Sequence, residues 1–116
     1  MAKILVVDDE REILDLMEIY LTKKGFQVVK CDNGEGALGI VDKDKEIDLI
    51  VLDIRMPGLD GKDVFNELKR RQCKLPIIIL TGSMGKDHLG LEAEGCLLKP
   101  IDLDDLMDKI NRLLGK

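Results

Sequence analysis

Five short, mostly apolar runs, separated from one another by helical patterns, constrain this chain more than any other feature. They are Lys3–Val7, Gln27–Cys31 and residues 49–52, 77–80 and 96–98. Runs this short and continuous suit strands covered on both faces, the condition of a parallel sheet wrapped by helices. Between them, Ile13, Leu14, Met17, Tyr20 and Leu21 make an apolar helical stripe that ends at Gly25, and Val64, Phe65 and Leu68 make another after Gly61. The last helix carries Leu103, Leu106, Met107, Ile110, Leu113 and Leu114 on one face, with Asp102 as N-cap and Asp104 and Asp105 at the positive end of its dipole. Gly34, Gly36 and Gly39 make the helix over 34–41 the weakest of the long ones, and Gly82, Gly85 and Gly90 leave room for a short helix over 87–94. Strand and helix alternate without a linker or repeat, which predicts one α/β domain over residues 1–116.

Composition narrows the function classes. No apolar run approaches the ~20 residues of a membrane span, and Met1-Ala2-Lys3 leads straight into a strand with no signal region, so a cytoplasmic location is expected. Cys31, Cys73 and Cys96 lack the paired spacing of a zinc site or redox pair and read as reduced, structural thiols. His88 reads as a solvated residue, and the charged run 42–46 as a solvated helix end and loop. The net charge is -5 and aromatic residues are scarce. The basic group Lys69, Arg70, Arg71 and Lys74 lies at a helix end, where cations complement the dipole, so direct binding of nucleic acid is not expected.

The polar residues at the strand ends carry the chemistry. Parallel strands share one carboxyl edge, so Asp8 and Asp9, Asp53, Thr81 and Lys99-Pro100 converge although they are far apart in sequence. Clustered carboxylates repel one another and are tolerated at neutral pH around a hard cation with oxygen ligands, typically Mg²⁺. A metal held there can also hold a phosphoryl oxygen, while Thr81 supplies a donor and Lys99 a positive charge for the others. Asp53, on the central strand, is then placed to attack phosphorus, which points to an aspartyl phosphate. Each residue has a plainer reading when taken singly: Asp8 and Asp9 as a helix cap, Asp53 as a turn residue before Pro57-Gly58, Lys99 as a solvated charge. Their joint occurrence at strand ends favours the site.

The motifs VVDDE, DIRMPGLDG, TGS and LLKP, in this order, resemble the receiver domain of two-component response regulators, and the likeness covers the whole chain. The resemblance implies a flavodoxin-like (CheY-like) doubly wound fold: a five-stranded parallel sheet of order 2-1-3-4-5 with helices on both faces. It makes Asp53 the phospho-acceptor, with Asp9, Asp53 and the backbone carbonyl of Arg55 as Mg²⁺ ligands and Asp8 acting through a water. Thr81 and Lys99 would grip the phosphoryl oxygens, across a cis Lys99-Pro100 bond. The implied donor is a phosphohistidine on a sensor histidine kinase or phosphotransfer protein, or a small donor such as acetyl phosphate. The domain would catalyse its own phosphorylation and slow hydrolysis and no other reaction. The change would be read at the face formed by the helix before the fifth strand, that strand and the last helix, by a downstream protein partner or a second copy.

Several positions depart from the family. Cys96 stands where an aromatic residue usually couples to the threonine, and the segment from Thr81 to Lys99 is shorter than usual by about four residues, roughly one helical turn. Arg55 can lie across the phosphoryl group and hinder water, and Ser83 is too short to position that water, so a long-lived phosphoryl group is expected. Two alternatives remain open on the sequence. The chain could be the regulatory part of a longer transcription factor or enzyme, or a haloacid dehalogenase-like phosphatase, although Arg55 occupies the position of that family's second aspartate and no cap insertion is present.

Overall fold

The computed structural model describes residues 1–82 and 93–115. Along the chain run β1 (Lys3–Val7), α1 (Arg11–Lys23), β2 (Gln27–Cys31), α2 (Gly34–Lys43), β3 (Leu49–Asp53), α3 (Gly61–Arg70), β4 (Ile77–Thr81), β5 (Gly95–Leu98) and α4 (Leu103–Leu113). The strands form one sheet of order β2-β1-β3-β4-β5 with every neighbouring pair parallel. This is the flavodoxin-like arrangement expected from the sequence.

Side-chain alternation splits the core in two. Ile4, Val6, Leu49, Val51, Ile78, Leu80 and Leu97 pack on one face with Leu14, Met17 and Leu21 of α1 and Leu106 and Ile110 of α4. Leu5, Val7, Ile50, Leu52, Ile77 and Ile79 pack on the other with Ala37 of α2 and Val64, Phe65 and Leu68 of α3. Adjacent residues of a strand point to opposite faces, so an unbroken apolar run serves both layers. Each fully buried Leu or Ile contributes about 1.5–3 kcal/mol of transfer free energy.

Strand ends differ from the hydropathy pattern by one residue. β3 and β4 continue to Asp53 and Thr81, and β5 begins at Gly95. The reason is in the backbone: the Ile54 N–H donates to the Leu80 carbonyl at 3.0 Å and the Lys99 N–H to the Thr81 carbonyl at 2.7 Å. The ladder runs on through residues whose side chains are polar. Of the short helix expected over 87–94, residues 87–92 lie outside the described residues; 93 and 94 are not helical.

Helix starts are set by side-chain caps. Asn33 Oδ1 accepts from the Gly36 N–H at 2.6 Å, Asp60 and Asp63 form a reciprocal capping box, and Asp102 accepts from the N–H groups of Asp104 and Asp105. Two glycines permit close approach. A Cβ on Gly61 would collide with the Asp53 carbonyl oxygen, and one on Gly34 with the Leu59 carbonyl oxygen. Gly34 thus has a packing role within the helix that its composition marks as weak. The basic group at the end of α3 is engaged by carboxylates: Glu67 accepts from Arg70 and Arg71, and Arg71 also pairs with Asp42.

Gly61→Ala should cost about 1–3 kcal/mol in urea unfolding through overpacking against the Asp53 backbone. Gly39→Ala, where nothing lies within 4 Å of the new methyl, should gain about 0.5–1 kcal/mol. Equal effects at the two positions would remove the close-approach account.

Candidate functional site

The register delivers the site residues to one edge. Val7 pairs with Leu52, so Asp8 and Asp53 follow side by side; Asp53 pairs with Leu80 and Thr81 with Leu98, the residue before Lys99. Alternation then decides direction. Asp53 has the parity of Leu49 and Val51, Asp8 that of Ile4 and Val6, and Lys99 that of Leu97, all on the α1/α4 face. Three charged side chains therefore leave three strands toward the same side.

They meet. Lys99 Nζ lies 3.1 Å from Asp8 Oδ2, 3.3 Å from Asp53 Oδ2 and 3.4 Å from Glu10 Oε1. Asp8 and Thr81 are fully buried and Asp53 nearly so. Asp53 Oδ1 accepts from the Arg55 N–H at 3.3 Å, and Asp8 Oδ1 from the Glu10 N–H at 2.9 Å. Asp8 Oδ2 makes no hydrogen bond of proper geometry, so the Lys99 ammonium serves it by charge alone. The carboxylates of Asp8, Asp9 and Glu10 can bring one oxygen each within 4.8 Å of one another.

This is an excess of negative charge at a dry edge. Burial, and then the neighbouring Asp8 charge, push the Asp53 pKa up to about 6, against the opposing pull of Lys99 and the Arg55 N–H. Burial works against the charge of Lys99, but the close contacts with the Asp8 and Asp53 carboxylates outweigh it and raise its pKa. A buried carboxylate oxygen without a hydrogen bond, beside a second buried carboxylate whose pKa is raised, is a donor set suited to a hard cation with oxygen ligands. The residues present fit Mg²⁺.

Of the residues singled out in the sequence, Asp8, Asp53 and Lys99 come together directly, and Asp9 joins through Asp8. Thr81 closes β4 beside Lys99, and Arg55 is exposed in the loop after β3. The Lys99-Pro100 bond is cis. Cys96 is half-buried on β5, where burial raises its thiol pKa and Lys109 partly offsets the rise. Ser83 lies outside the described residues. Glu10 was not anticipated; its place directly after Asp8-Asp9 was the available signal, but a Glu at a helix start reads as favourable charge alone.

The model of the family described as the response regulator receiver domain matches residues 4–111. Response regulator SaeR of Staphylococcus aureus is 35% identical over the whole of this chain, which covers 52% of that protein. The chain thus spans about half the length of the curated relatives it matches. A response regulator receiver domain protein from Clostridium thermocellum superimposes with a TM-score of 0.88 at 33% identity, over 99% of this chain and 95% of that one. Response regulator TrrA of Thermotoga maritima, solved in complex with Mg²⁺ and BeF, gives 0.86 at 32% identity over 97% and 99%.

Because Asp53 has a folded pKa above its ordinary 3.8, it adds stability below that pH and loses it as the pH rises through about 6. In chelator, Asp53→Asn should therefore be more stable than the parent at pH 7 by about 1–3 kcal/mol, with the difference shrinking toward pH 4. Urea unfolding across that range checks this; a difference that does not vary with pH would overturn it.

Proposed function

This chain belongs to the response regulator receiver domain family of two-component systems, and we propose that within it Asp53 is the residue that takes the phosphoryl group. The observation that carries this is the trio at the strand ends: Asp53 Oδ2 lies 3.3 Å from the Lys99 ammonium, which the buried Asp8 also holds at 3.1 Å. An acceptor oxygen, a cation for the phosphoryl oxygens and a carboxylate surplus for a metal stand within one contact of each other.

The step is a displacement at phosphorus. An Asp53 carboxylate oxygen forms the new P–O bond while the P–N bond to the donor imidazole breaks; the imidazole leaves with the electron pair and takes a proton from solvent. With acetyl phosphate, a P–O bond breaks and acetate leaves. Asp9, Asp53 and the Arg55 carbonyl would hold Mg²⁺, with Asp8 acting through a water, and the ion would neutralise charge on the phosphoryl oxygens. Lys99 stabilises the transferring group by charge, and Thr81 donates to it from the end of β4. Phosphorylation takes Asp53 from about −1 to about −2, and the new oxygens draw on Thr81 and Lys99, biasing the β4 and β5 ends toward a second arrangement.

The phosphoryl source would be a sensor histidine kinase or phosphotransfer protein, as for receiver domains in general, and the location cytoplasmic; no described helix is long and apolar enough to cross a membrane. The reader would be a downstream protein partner or a second copy. Because relatives are about twice as long, a regulatory part of a longer protein is the second reading. The domain's own reactions would be phosphorylation and hydrolysis alone. Cys96, a thiol where the family carries a swinging ring, leaves Thr81 to act through the backbone instead. Arg55 would lie across the phosphoryl group, with Ser83 too short to position water, so hydrolysis would be slow.

Intact mass after incubation with acetyl phosphate tests this reading. One added phosphoryl group is expected, requiring both Mg²⁺ and Asp53 and absent in Asp53→Ala; a folded chain that takes none would contradict it. Chasing the labelled protein, Arg55→Ala should lose the group faster than the parent, and an equal or slower loss would remove the shielding role.

A further inference from the structure

Glu10 is the N-cap of α1, a position where a short polar side chain normally folds back onto the first helical N–H groups. Its side chain makes no capping hydrogen bond. Its carboxylate Oε1 instead accepts from Lys99 Nζ at 3.4 Å, across 89 positions of sequence. The backbone holds Glu10 in place to do so: its N–H donates to Asp8 Oδ1 at 2.9 Å, and its carbonyl accepts from the N–H groups of Ile13 and Leu14, both at 3.1 Å.

The consequence is that the one hydrogen bond of proper geometry from the Lys99 ammonium to the carboxylates around it goes to Glu10. Asp8 and Asp53 hold the same ammonium by charge, at 3.1 and 3.3 Å, without a hydrogen bond of proper geometry. A phosphoryl oxygen that binds Lys99 competes with these three contacts for the ammonium. Releasing Asp8 would strand a carboxylate that is 0% exposed, a heavy penalty. Asp53 is the acceptor itself. The Glu10 side chain is 63% exposed, so water can replace its contact at little cost.

We propose that Glu10 is a positioning residue: it parks the Lys99 ammonium in the resting protein and is the contact surrendered to the incoming phosphoryl group. It thereby sets the rate of phosphoryl capture, and the proposal rests on the reading of Asp53 as acceptor. A protein lacking this contact has one Lys99 donor free from the outset. Capture is then faster, by about two- to fivefold, the range for one exposed ion pair.

The experiment compares phosphorylation of the parent, Glu10→Ala and Glu10→Asp by acetyl phosphate in Mg²⁺, read by intact mass over time, with Mg²⁺ affinity measured on each by calorimetry. Asp keeps the charge but is one methylene too short to reach Lys99. Both variants are expected to accelerate by the same two- to fivefold with Mg²⁺ affinity unchanged. Acceleration in the Ala variant with the parental rate in the Asp variant would assign the effect to local charge alone and overturn the proposal. Weakened Mg²⁺ binding would make Glu10 a metal ligand and overturn it as well. No acceleration in either, with the parent labelled on Asp53, would reject the role of Glu10 and leave the acceptor reading intact; a parent that takes no phosphoryl group would reject both.

Discussion

One ammonium, Lys99, stands against the carboxylates of Asp8, Asp53 and Glu10 at the edge of the sheet, and the rest of the structure is arranged to hold that imbalance. The sheet and its two helical layers exclude water from Asp8 and Asp53, which strengthens both the attraction to Lys99 and the repulsion between the acids. The raised pKa of Asp53 is the sign first of that burial and then of the repulsion from Asp8. Such a site is poised: a divalent cation would relieve it, and on the proposed reading a phosphoryl group with its metal would reorganise it. Stability and switching share the same charges.

Much of this was legible in the chain. Short apolar runs closed by polar residues announced parallel strands, and parallel strands announced a common edge for Asp8, Asp53, Thr81 and Lys99. Period-two alternation carried through the strand ends also places Asp8, Asp53 and Lys99 on one face. The boundaries slipped by one residue because the ladder is made by backbone groups, indifferent to the polarity of Asp53 and Thr81. Gly34 reads in sequence as a weak helical position and Gly61 as the residue before an apolar helical stripe, while their use is to let Leu59 and Asp53 backbone approach, a tertiary fact without a local signature. Glu10 was missed for the same reason. Its role depends on where Lys99 arrives from the far end of the fold.

Cys96, a departure from the family, lies on the side proposed to report the switch. Cys96 occupies β5 next to the Lys99 arm, half-buried and beside Lys109. The Thr81 carbonyl accepts from the Lys99 N–H at 2.7 Å, and on the proposed reading movement at Thr81 would pass through this hydrogen bond instead of a ring. That link ties the two residues proposed to bind the phosphoryl group to each other through the backbone.

The most direct test of the central claim, that the site is built around a missing positive charge, is the urea unfolding free energy of the chain at pH 7 as a function of Mg²⁺ concentration. Above the dissociation constant it should rise by about 1.4 kcal/mol per tenfold increase in Mg²⁺, and Asp9→Asn should shift that rise to higher concentration. A stability that stays flat in Mg²⁺ while the fold is intact would contradict the account.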